Sequence, residues 1–150
     1  MSGTTLITGG AGFIGTNLLR QFAAETDERL LVLDALTYAG DLTGIGPLVE
    51  EGRISLVEGN IGDDRLLKDL FVQNDIRRVM HLAAESHVDR SITGPGPFLA
   101  TNVNGTFALL EAAREAWDGD QDVRFVHVST DEVFGDLAPG APPATAATPY

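Results

Sequence analysis

The stretch Thr8-Gly9-Gly10-Ala11-Gly12-Phe13-Ile14-Gly15 restricts the fold more than any other feature of the chain. Before it, Thr4 to Thr8 is rich in branched side chains and reads as a strand. After it, Ile14, Leu18 and Phe22 recur every fourth residue and mark one face of a helix over Phe13 to Ala24. The glycines fit Gly10-x-Gly12-x-x-Gly15, with Gly9, Gly12 and Gly15 also three apart. Such a turn takes the chain sharply from strand to helix. Gly12 lets the backbone approach a ligand, and Gly15 lets the helix pack against its neighbouring strand. The first amides of a helix have no intrahelical acceptor, so this turn suits a diphosphate.

A second strand, Arg29 to Asp34, carries the apolar run Leu-Leu-Val-Leu typical of burial on both faces. Its last residue, Asp34, falls about 20 residues beyond the glycines, where a carboxylate accepts from both ribose hydroxyls of NAD and repels a 2′-phosphate. Ala35-Leu36-Thr37-Tyr38 offers no cation for such a phosphate, so NAD is expected over NADP. Further strands are read at Ile54 to Glu58, Arg78 to Leu82 and Val123 to Ser129. Asp63 and Asp64 can cap a helix carrying Leu66, Leu67, Leu70 and Phe71, and Phe98 to Trp117 reads as one long helix. Alternating strands and helices predict an α/β fold, a Rossmann-like doubly wound parallel sheet with helices on both faces and right-handed crossovers. Residues 1–137 are expected to form this NAD-binding domain. Residues 138–150 hold four of the seven prolines and no large aliphatic side chain, and read as a loop or tail.

At 150 residues the chain suits one such domain. Ten Lys and Arg against 22 Asp and Glu give a formal charge of -12, which repels nucleic acid and anionic lipid surfaces. An anionic ligand at a helix start is not excluded by that charge. No cysteine is present, so disulfides, thiolate metal sites and thiol nucleophiles are ruled out. No set of histidines and carboxylates has metal-ligand spacing, so no metal is expected. No apolar run approaches about 20 residues, and no secretory signal is visible, so a cytoplasmic location is expected.

Four segments narrow the reading: Asp34-Ala35-Leu36-Thr37-Tyr38-Ala39-Gly40, His81-Leu82-Ala83-Ala84-Glu85-Ser86-His87-Val88-Asp89-Arg90-Ser91, Thr101-Asn102-Val103-x-Gly105-Thr106, and His127-Val128-Ser129-Thr130-Asp131-Glu132-Val133-Phe134-Gly135. Together they closely resemble the dTDP-glucose 4,6-dehydratases of the extended short-chain dehydrogenase/reductase superfamily, from about Thr4 to Leu137. The resemblance implies an NAD-dependent conversion of a nucleotide-activated hexose to its 4-keto-6-deoxy product, in a homodimer. It implies that Phe13 and Ile14 lie over the pyrophosphate, that Asp34, Ala35, Leu36 and Thr37 hold the adenosine ribose, and that Asn60 and Ile61 lie by the adenine. The family more often has Asp at the position of Asn60. Leu82, Ala83, Ala84 and Ser86 would follow the nicotinamide half, with Thr101 close by, and Ser86 and Thr130 would also contact the hexose. Asp131 would protonate the leaving C6 hydroxyl and Glu132 would abstract the C5 proton. Two adjacent carboxyls can divide these tasks only if their environments differ, through desolvation or mutual repulsion.

The superfamily's Tyr-x-x-x-Lys pair is absent: the tyrosines are Tyr38 and Tyr150, and the one lysine is Lys68. Tyr150 resembles the tyrosine of a Thr-Pro-Tyr upstream of that pair, and Phe134 stands where the family often has tyrosine. The expectation is therefore a fragment that stops before the catalytic helix, lacks the sugar-nucleotide domain and does not turn over by itself. A nucleotide-sugar epimerase or decarboxylase of the same superfamily and a non-catalytic NAD-binding module are the alternatives. His81 and His127, within strands, are expected to be hydrogen-bonded core or near-core residues. His87, beside Ser86, stays open to a substrate-side role, and Trp117 is expected to pack at a helix end. The 98–117 helix is apolar on two faces. One can cover the sheet, and the other meets a partner subunit or another segment of the same chain.

Overall fold

The structure, a computed structural model, describes residues 3–150. Its centre is β1 (Thr4–Thr8), a strand buried at every position. It pairs in parallel with β2 (Arg29–Asp34) on one side and β4 (Ile76–His81) on the other. β3 (Ile54–Glu58) lies outside β2, and β5 (Arg124–His127) lies outside β4, which gives the order β3-β2-β1-β4-β5. The chain winds outward from β1 through β2 to β3, then returns to the other side of β1. That reversal opens a crevice at the carboxyl edge, where ligands of such sheets bind.

Successive side chains of a strand face opposite sides, and β1 and β2 are apolar on both. Leu6, Leu31 and Leu33 point to one layer, where Leu67, Leu70 and Phe71 of α3 (Asp64–Asn74) and Leu109, Ala112 and Ala113 of a later helix complete a core. Ile7, Leu30 and Val32 point to the other, against Leu19 and Ala23 of α1 (Phe13–Glu25) and Ile45. Ile45 directly precedes α2 (Gly46–Glu50), a short helix unmarked in the sequence pattern. Asp63 caps α3 by accepting from Leu66 N, as expected. Trp117 packs edge-on against Phe71 and donates from Nε1 to the Ile76 carbonyl at 2.7 Å.

Three expected boundaries move. β4 begins at Ile76, because a bulge between Thr4 and Thr5 lets Ile76 and Arg78 both pair with β1. β5 ends at His127, leaving Val128 to Thr130 as extended chain beyond the sheet, although Val128 N still donates to the His81 carbonyl. The expected single helix from Phe98 to Trp117 is instead composite: a turn, α5 (Gly96–Phe98), then a π-helical stretch from Leu99 to Gly105, then α6 (Thr106–Ala116). Gly105 is buried where the composite helix passes Ile61, and a Cβ there would stand 2.7 Å from Ile61 Cγ1. The wide turn thus carries the helix past that contact. α4 (Val88–Thr93), ahead of it, is a further short helix. Residues 138–150 contain turns but no helix or strand.

The one buried histidine is a core residue. His81 is fully enclosed, with Nδ1 2.7 Å from Thr8 Oγ1 and Nε2 2.9 Å from Thr106 Oγ1. His127, exposed, stacks on it at 5.0 Å between ring centres. Burial, reinforced by the neighbouring His127, pushes His81 from 6.5 down to about 4. Above pH 6.5 the ring is neutral in folded and unfolded chains alike. Between 6.5 and 4 the unfolded chain takes up a proton that the folded one refuses, so stability falls as pH falls, by at most about 3 kcal/mol. Urea unfolding at pH 7.5 and pH 4.5 should show a smaller loss for His81→Gln than for the parent chain. Equal losses would mean the buried imidazole is not the group responsible.

Candidate functional site

The carboxyl edge of the sheet holds an open groove above the glycine turn. Its floor includes Gly9 and Gly12. Gly9 has φ +71, a conformation that favours glycine, and a Cβ on Gly15 would overlap the Gly9 carbonyl. The two residues are therefore glycines for backbone reasons. α1 has no side-chain cap, so the amides of its first turn stay free to meet an anion.

Asp34 forms one wall. Its carboxylate is buried and accepts from two backbone amides, Ala11 N on Oδ2 at 2.8 Å and Leu36 N on Oδ1 at 2.9 Å. Each oxygen keeps acceptor capacity, and Asp34 lines the groove, so a ribose diol placed there meets a fixed acceptor. The loop after β2 is drawn back over the turn by Asp41 N donating to the Ala11 carbonyl at 3.0 Å. A vicinal diol linked to a diphosphate matches this pairing of acceptor and free amides.

Eleven of the sixteen expected cofactor positions meet in this groove: Gly9, Gly12, Asp34, Ala35, Thr37, Asn60, Ile61, Leu82, Ala83, Ala84 and Thr101. The other five do not line it. Gly15 is buried beneath the turn. Phe13 and Ile14 stand at the start of α1 with 87% and 62% of their surfaces exposed. Leu36 supplies its amide to Asp34, but its side chain packs into the core beside β2. Ser86 is exposed beyond the groove wall, and His87 next to it occupies the N-cap of α4 without capping it.

Thr130, Asp131 and Glu132 leave the carboxyl end of β5 in a 3-10 turn, Asp131–Phe134. Thr130 Oγ1 accepts from Glu132 N at 3.3 Å and lies 3.4 Å from Asp131 Oδ1. All three are exposed, and none lines the groove. The dry surroundings expected around an acid–base pair are thus not supplied by the described residues. Phe134 stacks on Tyr150 with ring centres 5.4 Å apart.

Glu85 and Tyr38 lie in segments that carry the family resemblance, but their sequence positions assign them no role. Glu85 lines the groove, and its backbone is held from both ends by Asn102, which accepts from Glu85 N and donates to Glu85 O, each at 2.8 Å. Tyr38 OH donates to Glu85 Oε2 at 3.0 Å. These partners are far apart in the chain, so no local spacing marks them. Among the described residues no group of three His, Asp or Glu side chains can hold a metal ion, and no helix is long and apolar enough to cross a membrane.

Comparison with known proteins identifies relatives of the chain. The dTDP-glucose 4,6-dehydratase of Salmonella typhimurium is 48% identical over 137 residues, which cover 88% of this chain and 38% of that protein. The chain therefore spans well under half the length of this relative. A crystal structure of the dTDP-glucose 4,6-dehydratase of Streptomyces venezuelae with NAD bound superposes with a TM-score of 0.84 at 43% identity, covering 97% of this chain and 44% of that one. UDP-glucose 4-epimerase of Thermus thermophilus, also crystallised with NAD, reaches a TM-score of 0.82 at 27% identity over 97% of this chain and 43% of that one. The fold is thus common to dehydratases and epimerases, while sequence identity is higher to the dehydratases. A family described as GDP-mannose 4,6 dehydratase matches residues 6–150, from the first strand through the acidic turn, and the chain belongs to that family.

Proposed function

We propose that this chain is the NAD-binding portion of an enzyme that dehydrates a nucleotide-activated hexose, dTDP-glucose, to its 4-keto-6-deoxy product. The observation that carries the reading is the Asp34 carboxylate, fixed by two amides beside an uncapped helix start in one groove. The relatives named dTDP-glucose 4,6-dehydratase, at up to 48% identity, support the substrate class.

The residues divide the work as follows. Gly9, Gly12 and Gly15 bring the backbone up to the diphosphate, with Phe13 and Ile14 above it. Asp34 accepts from the adenosine ribose, assisted by Ala35, Leu36 and Thr37, and Asn60 and Ile61 flank the adenine. Leu82, Ala83, Ala84, Ser86 and Thr101 guide the nicotinamide half. Held there, NAD would supply a reversible acceptor for the sugar's hydride. Once C4 is a ketone the C5 proton is acidic, and Glu132 removes it. Asp131 delivers a proton to the departing C6 hydroxyl, while Ser86 and Thr130 hold the hexose. Thr130 also fixes the turn that carries both carboxyls, through its bond to Glu132 N. No Tyr-x-x-x-Lys occurs in these 150 residues, so no tyrosine–lysine pair of the chain serves the C4 hydroxyl.

The exposed row Leu99, Val103, Phe107 and Leu110 follows one helical face, opposite buried Leu109 and Ala112. We assign this row to a homodimer contact. The cysteine-free composition and the nucleotide ligands suit a cytoplasmic setting.

Incubation of the whole protein with dTDP-glucose should give the 4-keto-6-deoxy sugar nucleotide, detected by mass loss of one water. Recovery of a C4 epimer instead would make the protein an epimerase. Asp34→Ala should weaken NAD binding at least tenfold and narrow the preference over NADP, as titration calorimetry with each dinucleotide would register. An unchanged preference removes Asp34 from the ribose. Asp131→Asn should preserve the first hydride transfer, seen as NADH absorbance, and slow water loss by roughly 100-fold. Water loss at the parent rate would assign the acid to another group.

A further inference from the structure

The groove has a cross-member that the cofactor reading leaves without a task. Its two walls come from loops on opposite sides of the glycine turn: the one after β2, with Thr37, Ala39 and Gly40, and the one after β4, with Ala84 and Glu85. Tyr38 OH donates to Glu85 Oε2 at 3.0 Å and so joins wall to wall. The Arg90 guanidinium sits 3.9 Å from the centre of the Tyr38 ring, so the aromatic side chain is held at both its hydroxyl and its face.

The backbones at both ends are anchored. On the Tyr38 side, Gly40 N donates to the Thr37 carbonyl and Asp41 N to the Ala11 carbonyl, both at 3.0 Å. On the Glu85 side, the Asn102 amide grips the main chain twice at 2.8 Å. With fixed posts, the link opens through side-chain rotation of Tyr38, Glu85 and Arg90. A dinucleotide is wide at both ends and narrow at the diphosphate. A dinucleotide lying across the glycine turn with its narrow part beneath the link would have to bring one wide end past it to enter or leave.

We propose that Tyr38 and Glu85, braced by Arg90, form a latch across the groove mouth that must open for the dinucleotide to enter or leave. This rests on the NAD reading and adds to it the control of exchange. Retention has a chemical use there: a hydride taken from C4 must come back to C6, and a cofactor that departs in between carries it away. The latch closes on the apo groove as well, so it slows entry as much as exit and changes affinity little.

The test is the exchange rate of NADH, followed by its fluorescence, with release read on chasing with excess NAD. Tyr38→Phe and Glu85→Ala each remove the link and should speed both association and release about fivefold, with Kd nearly constant. Glu85→Gln keeps an acceptor for the phenol and should exchange at close to the parent rates. The double variant Tyr38→Phe/Glu85→Ala should be no faster than either single one, because both lose the same bond. Parent rates in the single variants overturn the latch. So does faster release with unchanged association, which would make these side chains ordinary cofactor contacts. A parent protein that binds no NADH fails the cofactor reading itself, whereas tight binding with unaltered variant rates fails the latch alone.

Discussion

Two amides, Ala11 N and Leu36 N, converge on the Asp34 carboxylate, and the shape of the carboxyl edge follows from that meeting. Ala11 belongs to the turn after β1 and Leu36 to the loop after β2, so a single side chain ties the two loops together. Leu36 carries a φ of +47, unusual for a residue with a side chain, and its amide is aimed at Oδ1. A buried carboxylate is tolerated only when hydrogen-bonded, and these amides meet that demand before any ligand arrives. The groove is consequently organised in advance, and little ordering remains to oppose binding.

The interior of the fold was legible because it obeys local rules. The alternation of Leu30, Leu31, Val32 and Leu33 between two layers, the Asp63 cap and the glycine turn are each set by residues adjacent in sequence. The composite helix was not. Leu99 to Gly105 keeps a helical spacing of apolar residues, and the wide turn answers a packing contact with Ile61 that lies about forty positions earlier, so it has no local signature.

The site shows the same division. Asp34, Asn60, Leu82 to Ala84 and Thr101 were readable because each directly follows a strand or belongs to a recognisable segment, and the sheet brings them to one edge. The pairing of Tyr38 with Glu85 was not readable: one stands in a loop, the other in a strand-end segment, and only the folded sheet brings them within 3.0 Å. Thr130, Asp131 and Glu132 occupy the expected end of β5 but stay exposed, since burial depends on what surrounds a residue and not on its spacing.

The wide turn before α6 also sets a tolerance for length. Thr101 faces the groove and Asn102 grips Glu85 from within the π-helical stretch, while Thr106 just after it bonds His81. That stretch holds about one residue more per turn than an α-helix. It can shed that residue and wind as ordinary α-helix with its two flanks still in phase, whereas one residue lost from α6 itself would rotate everything upstream by about 100° relative to the packed end of α6. The groove would lose Thr101 and the support of Glu85 together, although no side chain in either had been exchanged. The length of α6 therefore bears on the groove as directly as the identity of the residues that line it.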